Sequence, residues 1–212
     1  EDPVAALRTT AALEPGGAHR MGFVLATDAD AESVAHLLER FSGVEALDAS
    51  LARVGPAWRD RLAAHRIETP EPALDALVND WTRYQAIAAR LWARCGYYQQ
   101  SGAYGFRDQL QDAQVWLTID PSRCRSQIRL HAGHQFADGS VYHWWHPLTE
   151  QGHVTTMTDD LLWLAFVAAS YVRETGDLSV LDDASPFLDA PGPAPLSDHV
   201  LRAFRRVFAR TS

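Results

Sequence analysis

The sequence predicts a mainly helical fold that starts with a short β-rich stretch, and three observations carry that expectation. From about residue 30 onwards apolar residues recur at the 3.6-residue period of helices. Before that point Met21, Phe23 and Leu25 recur at every second position, as one face of a half-covered strand requires. Helix punctuation then recurs along the chain: Asp120-Pro121, Thr158 with Asp159-Asp160, and Ser197-Asp198 open helices, and Gly176 closes one.

Taken in order, the segments 4–13 and 19–26 read as strands separated by the turn-forming "EPGG" at 14–17. "DAESVAHLLERF" (30–41) sets Val34, Leu37, Leu38 and Phe41 on one helical face. A second helix over 45–54 is expected to yield at Pro56 to another over 58–66. Residues 72–95 carry a broad apolar stripe through Leu74, Leu77, Val78, Trp81, Tyr84, Ile87, Leu91 and Trp92, which puts Trp81 in the core and Asn79-Asp80 on the wet side. Further helices are expected from Phe106, Pro121, Thr158 and Ser197, with the proline-rich "SPFLDAPGPAPL" (185–196) as a loop.

Composition narrows the class of partner. The chain has 212 residues, of which 47% are apolar and 22% charged, the balance of a folded domain. Its formal charge is −8, with no Lys/Arg-rich run before the mild "RAFRRVFAR" (202–210) near the end, which argues against nucleic acid. Two distant cysteines, Cys95 and Cys124, make neither a disulfide framework nor a zinc ribbon and point to a reducing, cytoplasmic setting. No run of apolar residues is long enough to span a bilayer, so no direct membrane contact is expected. The opening "EDPVAALR" lacks a start Met and reads as the middle of a longer chain.

Loop lengths point to a pocket. About nine residues, "GYYQQSGAY", precede the helix at Phe106, and about twenty precede the one at Thr158, whereas the helix between them follows after two or three. If successive helices run antiparallel, both long loops lie at one end. Both are rich in aromatics.

Three clusters at that end carry polar chemistry. In "GFRDQLQD" (105–112), Arg107 and Asp108 lead a helix, either as a terminal ion pair with Asp108 favoured by the macrodipole, or as a clamp in which a guanidinium donates to and a carboxylate accepts from neighbouring sugar hydroxyls. Preceding aromatics, Tyr97, Tyr98, Tyr104 and Phe106, favour the clamp. In "YHWWHP" (142–147) the two indoles either plug and cap a core or offer a face to a sugar, with His143 and His146 beside them. In "TDDLLWL" (158–164) Asp159 and Asp160 are dipole-favoured helix acids or part of a general acid–base pair, and spacing alone does not choose. The pairs His131/His134 and His143/His146 lack the flanking carboxylate of a metal motif, so no metal is expected.

Read in order, "NDWTRYQ" (79–85), "YYQQSGAYGFRDQLQD" (97–112), "HQFADGSVYHWWHP" (134–147), "TDDLLWL" (158–164) and "YVRETGDLSVLDD" (171–183) resemble the inverting glycoside phosphorylases of the cellobiose-phosphorylase family. They are most similar to its β-1,2-glucan branch, which includes the phosphorylase-like part of cyclic β-1,2-glucan synthases. The resemblance implies the end of a β-sandwich domain over residues 1–28, a helical linker over 29–69, and the N-terminal part of an (α/α)6 barrel over 70–212. It also implies a reaction in which inorganic phosphate, as co-substrate and with no further cofactor, attacks a β-linked gluco-oligosaccharide with inversion to give an α-sugar 1-phosphate. Arg107 and Asp108 match the pair that holds the sugar at the cleavage point, and Gln109 and Asp112 match supporting positions. His143, Trp144 and Trp145 match an aromatic loop near the acceptor side, and Asp159 and Asp160 match the acids that open a helix.

This chain departs from the family pattern twice. No cation stands in "QQSGAYGF" (99–106), where cellobiose-type members carry an additional Arg, and the Trp-Asn-Asp motif with the general acid is absent. The resemblance places that acid downstream of Ser212, the last residue of this sequence. The expectation is therefore a fragment without a catalytic residue of its own, inactive alone, from a parent that is an enzyme and a possible homodimer. An inverting glycosidase on the same barrel and a non-catalytic sugar-binding module are the competing readings.

Overall fold

Asp30 stands extended ahead of the first helix, and its carboxylate accepts from the Ser33 N–H at 2.8 Å, satisfying one of the open donors of that turn. The computed structural model describes residues 6–94 and 102–211, which fall into two units, 1–60 and 61–212. Cys95, Tyr97 and Tyr98 lie outside the described residues, and so does Ser212. In the first unit α1 (Ala31–Arg40) is followed by α2 (Val44–Arg61).

Two expectations fail in this unit. Residues 6–28 form no strand, because an alternating segment becomes one only when a partner takes its N–H and C=O groups, and none pairs with it among the described residues. Phe23 and Leu25 are accordingly exposed. Pro56 does not divide the second helix either; it sits inside α2. Proline removes one ladder bond and crowds one carbonyl, and the turns on each side carry the helix across.

The second unit starts with a continuous helical run, α3 (Pro72–Ala76), a π-helical turn Leu77–Trp81, α4 (Thr82–Tyr84) and a second π-helical stretch, Gln85–Trp92. Wider i→i+5 turns shift the register of a stripe drawn at 3.6 residues. Ile87 and Leu91 are buried as expected, yet Trp81 is 57% exposed and Asn79, expected in water, is 2% exposed. Asn79 earns its burial by taking both backbone groups of Ile67, accepting from N–H and donating to C=O at 2.8 Å each.

Then come β1 (Tyr104–Gly105), α5 (Phe106–Ala113), a 3-10 turn Gln114–Thr118, α6 (Pro121–Ala132), the hairpin β2 (Tyr142–His146) and β3 (Gln151–Val154), and α7 (Thr158–Thr175). A 3-10 turn Leu178–Asp182, β4 (Ala184–Phe187), β5 (Ala190–Pro195) and α8 (Leu196–Thr211) complete it. The expected proline-rich loop is thus an antiparallel hairpin, β4 on β5. Prolines are tolerated there because a two-stranded ribbon is all edge. Gly176 ends α7 at φ 71°, as its position predicts.

The core lies between helices. Phe106, Leu110 and Ala113 of α5 meet Cys124 and Ile128 of α6 and Leu161, Leu164 and Val167 of α7, all buried. α8 packs on α7 with Leu196 and Ala203 buried, while Leu201, Phe204 and Phe208 stay exposed. No described helix is long and apolar enough to cross a membrane.

A polar clamp closes the far side of α6. Arg125 grips Asp183 through Nε and Nη2 at 2.6 Å each, and Nη1 donates to Asp177 at 2.8 Å, where Tyr171 also donates. Replacing it, Arg125→Lys keeps the charge and loses the fork; urea unfolding is expected to show a loss of about 1.5–3 kcal/mol. His131 supplies a second test. Burial pushes its imidazole down to about 3, so it stays neutral while the unfolded chain protonates near 6.5. Stability is therefore expected to fall as pH drops from about 6.5 towards 3, by at most about 1.4 kcal/mol per pH unit from this group. Unfolding curves taken through that window should show a smaller slope in His131→Leu.

Candidate active-site mouth

The two long loops meet, as their lengths predict. β1, from the first loop, pairs antiparallel with β2, from the second, with Tyr104 opposite Trp145 and Gly105 opposite Trp144. α5 starts immediately after β1 and α7 four residues after β3, so this small sheet brings two helix N-termini to one mouth.

Arg107 in the first turn of α5 donates from Nη1 to Asp159 Oδ2, in the first turn of α7, at 3.2 Å. Its Nε lies 3.9 Å from Asp108 Oδ1, an ion pair without a hydrogen bond. The expected Arg-Asp clamp is thus wider than the sequence suggests, with Asp159 as the nearer carboxylate. The hydrogen bond to Asp159 and the charges of Asp108, Asp159 and Asp160 outweigh desolvation and hold the guanidinium firmly protonated. Desolvation pushes the Asp159 carboxyl up, but the bond and charge of Arg107 leave it below the usual carboxylate range.

Asp108 turns towards a second group. With Arg90, Arg94, Gln109 and Asp112 it lines a crevice with about 10 Å³ of free space, room for about one water. Its carboxylate lies over Gly105, where an added Cβ would collide with it. Arg90 Nε donates to Asp112 at 2.9 Å, and burial pushes the Asp112 carboxyl up against the partial offset of that arginine. Gln109 is buried and donates to the Arg90 carbonyl at 3.0 Å, the act of a support. Arg94 caps the Tyr104 ring at 4.1 Å and donates to the Gly102 carbonyl. Neither arginine is part of the motif, since Arg90 sits in the preceding π-helical stretch and Arg94 two residues beyond its end, both more than ten residues before it.

The two indoles separate across the strand, because successive side chains point to opposite faces. Trp144 is 39% exposed, beside His146 and His153. Trp145 is 1% exposed, stacked on His134 at 4.1 Å and edge-on to Tyr104, Phe106 and His131. Of the two readings open for the pair, Trp145 takes the first and plugs the core, so the sugar-facing role that the resemblance implies for both indoles does not hold for Trp145. His143 faces buried Asp160, whose Oδ2 also accepts from the Thr155 hydroxyl.

Carboxylates and guanidinium groups alternate around the starts of α5 and α7, so donors and acceptors stand side by side there. The catalytic-domain model of the Glycosyl hydrolase 94 superfamily matches residues 57–211. The chain belongs to that family. Among glycosyl hydrolase 94 relatives, cyclic beta-(1,2)-glucan synthase NdvB of Rhizobium meliloti (strain 1021) is 37% identical over 190 residues, covering 90% of this chain and 7% of that protein. N,N'-diacetylchitobiose phosphorylase of Vibrio proteolyticus is 28% identical, over 90% of this chain and 27% of its own length. Solabiose phosphorylase of Paenibacillus borealis is 26% identical, over 97% and 25% respectively. The chain thus spans between 7% and 28% of the length of the curated relatives it matches.

The two tryptophans give a direct test of the geometry. Trp145→Ala empties a packed aromatic cluster and is expected to cost about 3–5 kcal/mol in denaturant unfolding. Trp144→Ala should change stability by less than about 1 kcal/mol. Equal losses in the two variants would contradict the placement.

Proposed function

We propose that this chain forms part of the catalytic domain of an inverting glycoside phosphorylase acting on a β-linked glucan, with Arg107, Asp108 and Asp159 gripping the sugar next to the scissile bond. The observation that carries the reading is the Arg107–Asp159 contact, which stations a guanidinium across the mouth of two helices in a glycosyl hydrolase 94 domain. One N–H is committed to Asp159, so the fork retains donors for hydroxyls while Asp108 and Asp159 supply acceptors. Trp144 offers the exposed indole against which a sugar face can lie.

In this scheme a phosphate oxygen attacks the anomeric carbon as the glycosidic C–O bond breaks, and an acid protonates the departing oxygen. Phosphate takes the place of the activated water of an inverting hydrolase, so one protein carboxyl group suffices. That acid belongs to a Trp-Asn-Asp motif that these 212 residues do not contain. Residues 1–212 by themselves are accordingly expected to be inactive. The name of the NdvB relative favours a β-1,2-linked glucan as the substrate class.

The test uses the parent protein, β-1,2-gluco-oligosaccharide and inorganic phosphate, with sugar 1-phosphate as the readout. Arg107→Ala or Asp108→Ala is expected to lower kcat/KM about 100-fold, the loss of one or two charge-assisted hydrogen bonds. Activity within about threefold of the unaltered enzyme would refute the clamp. Cleavage that proceeds equally well without phosphate would favour a glycosidase.

A further inference from the structure

Asp160 remains unexplained by the clamp. It is fully buried, its Oδ1 has no partner among the described residues, and its Oδ2 takes the Thr155 hydroxyl at 2.5 Å and faces His143 Nδ1 at 2.8 Å. We infer that Asp160 is a positioning residue that holds His143 as its Nδ1–H tautomer and so presents Nε2 as a hydrogen-bond acceptor beside the Arg107 donors.

The chemistry of the partners dictates the tautomer. A carboxylate only accepts, so Nδ1 must donate, and in the neutral ring the other nitrogen then carries the lone pair. The carboxylate cannot turn to water from its buried position, so the imidazole turns to it. Nε2 makes no hydrogen bond to any described residue, and the ring is about one-third exposed, with 34% of the side-chain surface open. Backbone geometry supplies a second, independent observation. The β2–β3 register slips between Tyr142 and Trp144, which makes His143 the extra residue of a bulge. Bulges re-aim a side chain that regular alternation would send elsewhere.

Arg107 lies within electrostatic reach of Asp160, the residue that holds the ring, which gives the arrangement a use. Asp159 and Asp160 are consecutive in the first turn of α7; the first anchors the guanidinium and the second anchors the imidazole. Arg107 only donates, and Nε2 of this tautomer only accepts. A neutral ligand with adjacent hydroxyls presents both complements. The identity of that ligand as a sugar rests on the proposed function; the tautomer does not.

Long-range ¹H–¹⁵N correlation of the imidazoles in the labelled chain at about pH 8, where an ordinary histidine is neutral, tests both parts. His143 is expected to show protonated Nδ1 and bare Nε2, and Asp160→Ala to lose that single form. Adding a β-1,2-linked glucose disaccharide should move the Nε2 resonance, with about 5–10-fold weaker binding in Asp160→Ala, the worth of about one hydrogen bond. A wild-type ring protonated on Nε2 overturns the assignment whether or not the variant folds. So does a disaccharide that moves the Arg107 Nε resonance and leaves His143 Nε2 still. A disaccharide that moves neither counts against the carbohydrate reading, while the tautomer still decides the role of Asp160.

Discussion

Two backbone pairs, Tyr104 with Trp145 and Gly105 with Trp144, join loops that are forty residues apart in the chain. Everything at the mouth follows from that short antiparallel contact. It sets the height of α5, which begins at the next residue, and through the β2–β3 hairpin it sets the start of α7. Trp145 locks the strip from below, with His134 on its face and three rings at its edges. Without this pairing the first turns of the two helices would have no reason to lie level, and Arg107 would not reach Asp159.

The electrostatics of the mouth have a consistent logic. Helix N-termini favour acids, and Asp108, Asp159 and Asp160 all lie in first turns. Several carboxylates in one place repel each other unless cations stand between them. Arg107 serves one pair, Arg90 faces Asp112, and His143 takes the buried Asp160. The result is a surface on which donors and acceptors alternate. Membership of the glycosyl hydrolase 94 family places that surface among carbohydrate-active domains.

Much of the helical plan was legible because its signals are local. Asp120-Pro121, Gly176 and the start at Phe106 act within one turn of chain, and α6, α7 and α5 begin or end where they say. Misreadings arose where a neighbour decides the outcome. Alternation at Met21–Leu25 needed a partner strand. Trp81 looked apolar enough for the core, and Asn79 polar enough for water, until the π-helical turns and the Ile67 backbone reversed their places.

The site divides along the same line. Sequence by itself determined the family and most of the chemical groups gathered in this region, since the order of Arg107, Asp108, His143, the paired indoles and the paired acids specifies them. Only the tertiary structure decided who holds whom. It gave Arg107 to Asp159 more closely than to its sequence neighbour, sent Trp145 inward and Trp144 outward, brought in Arg90 from an earlier helix and Arg94 from just beyond its end, and seated His143 on Asp160. Those choices depend on which surfaces remain to be buried once the helices have packed, and no local pattern in the chain encodes that.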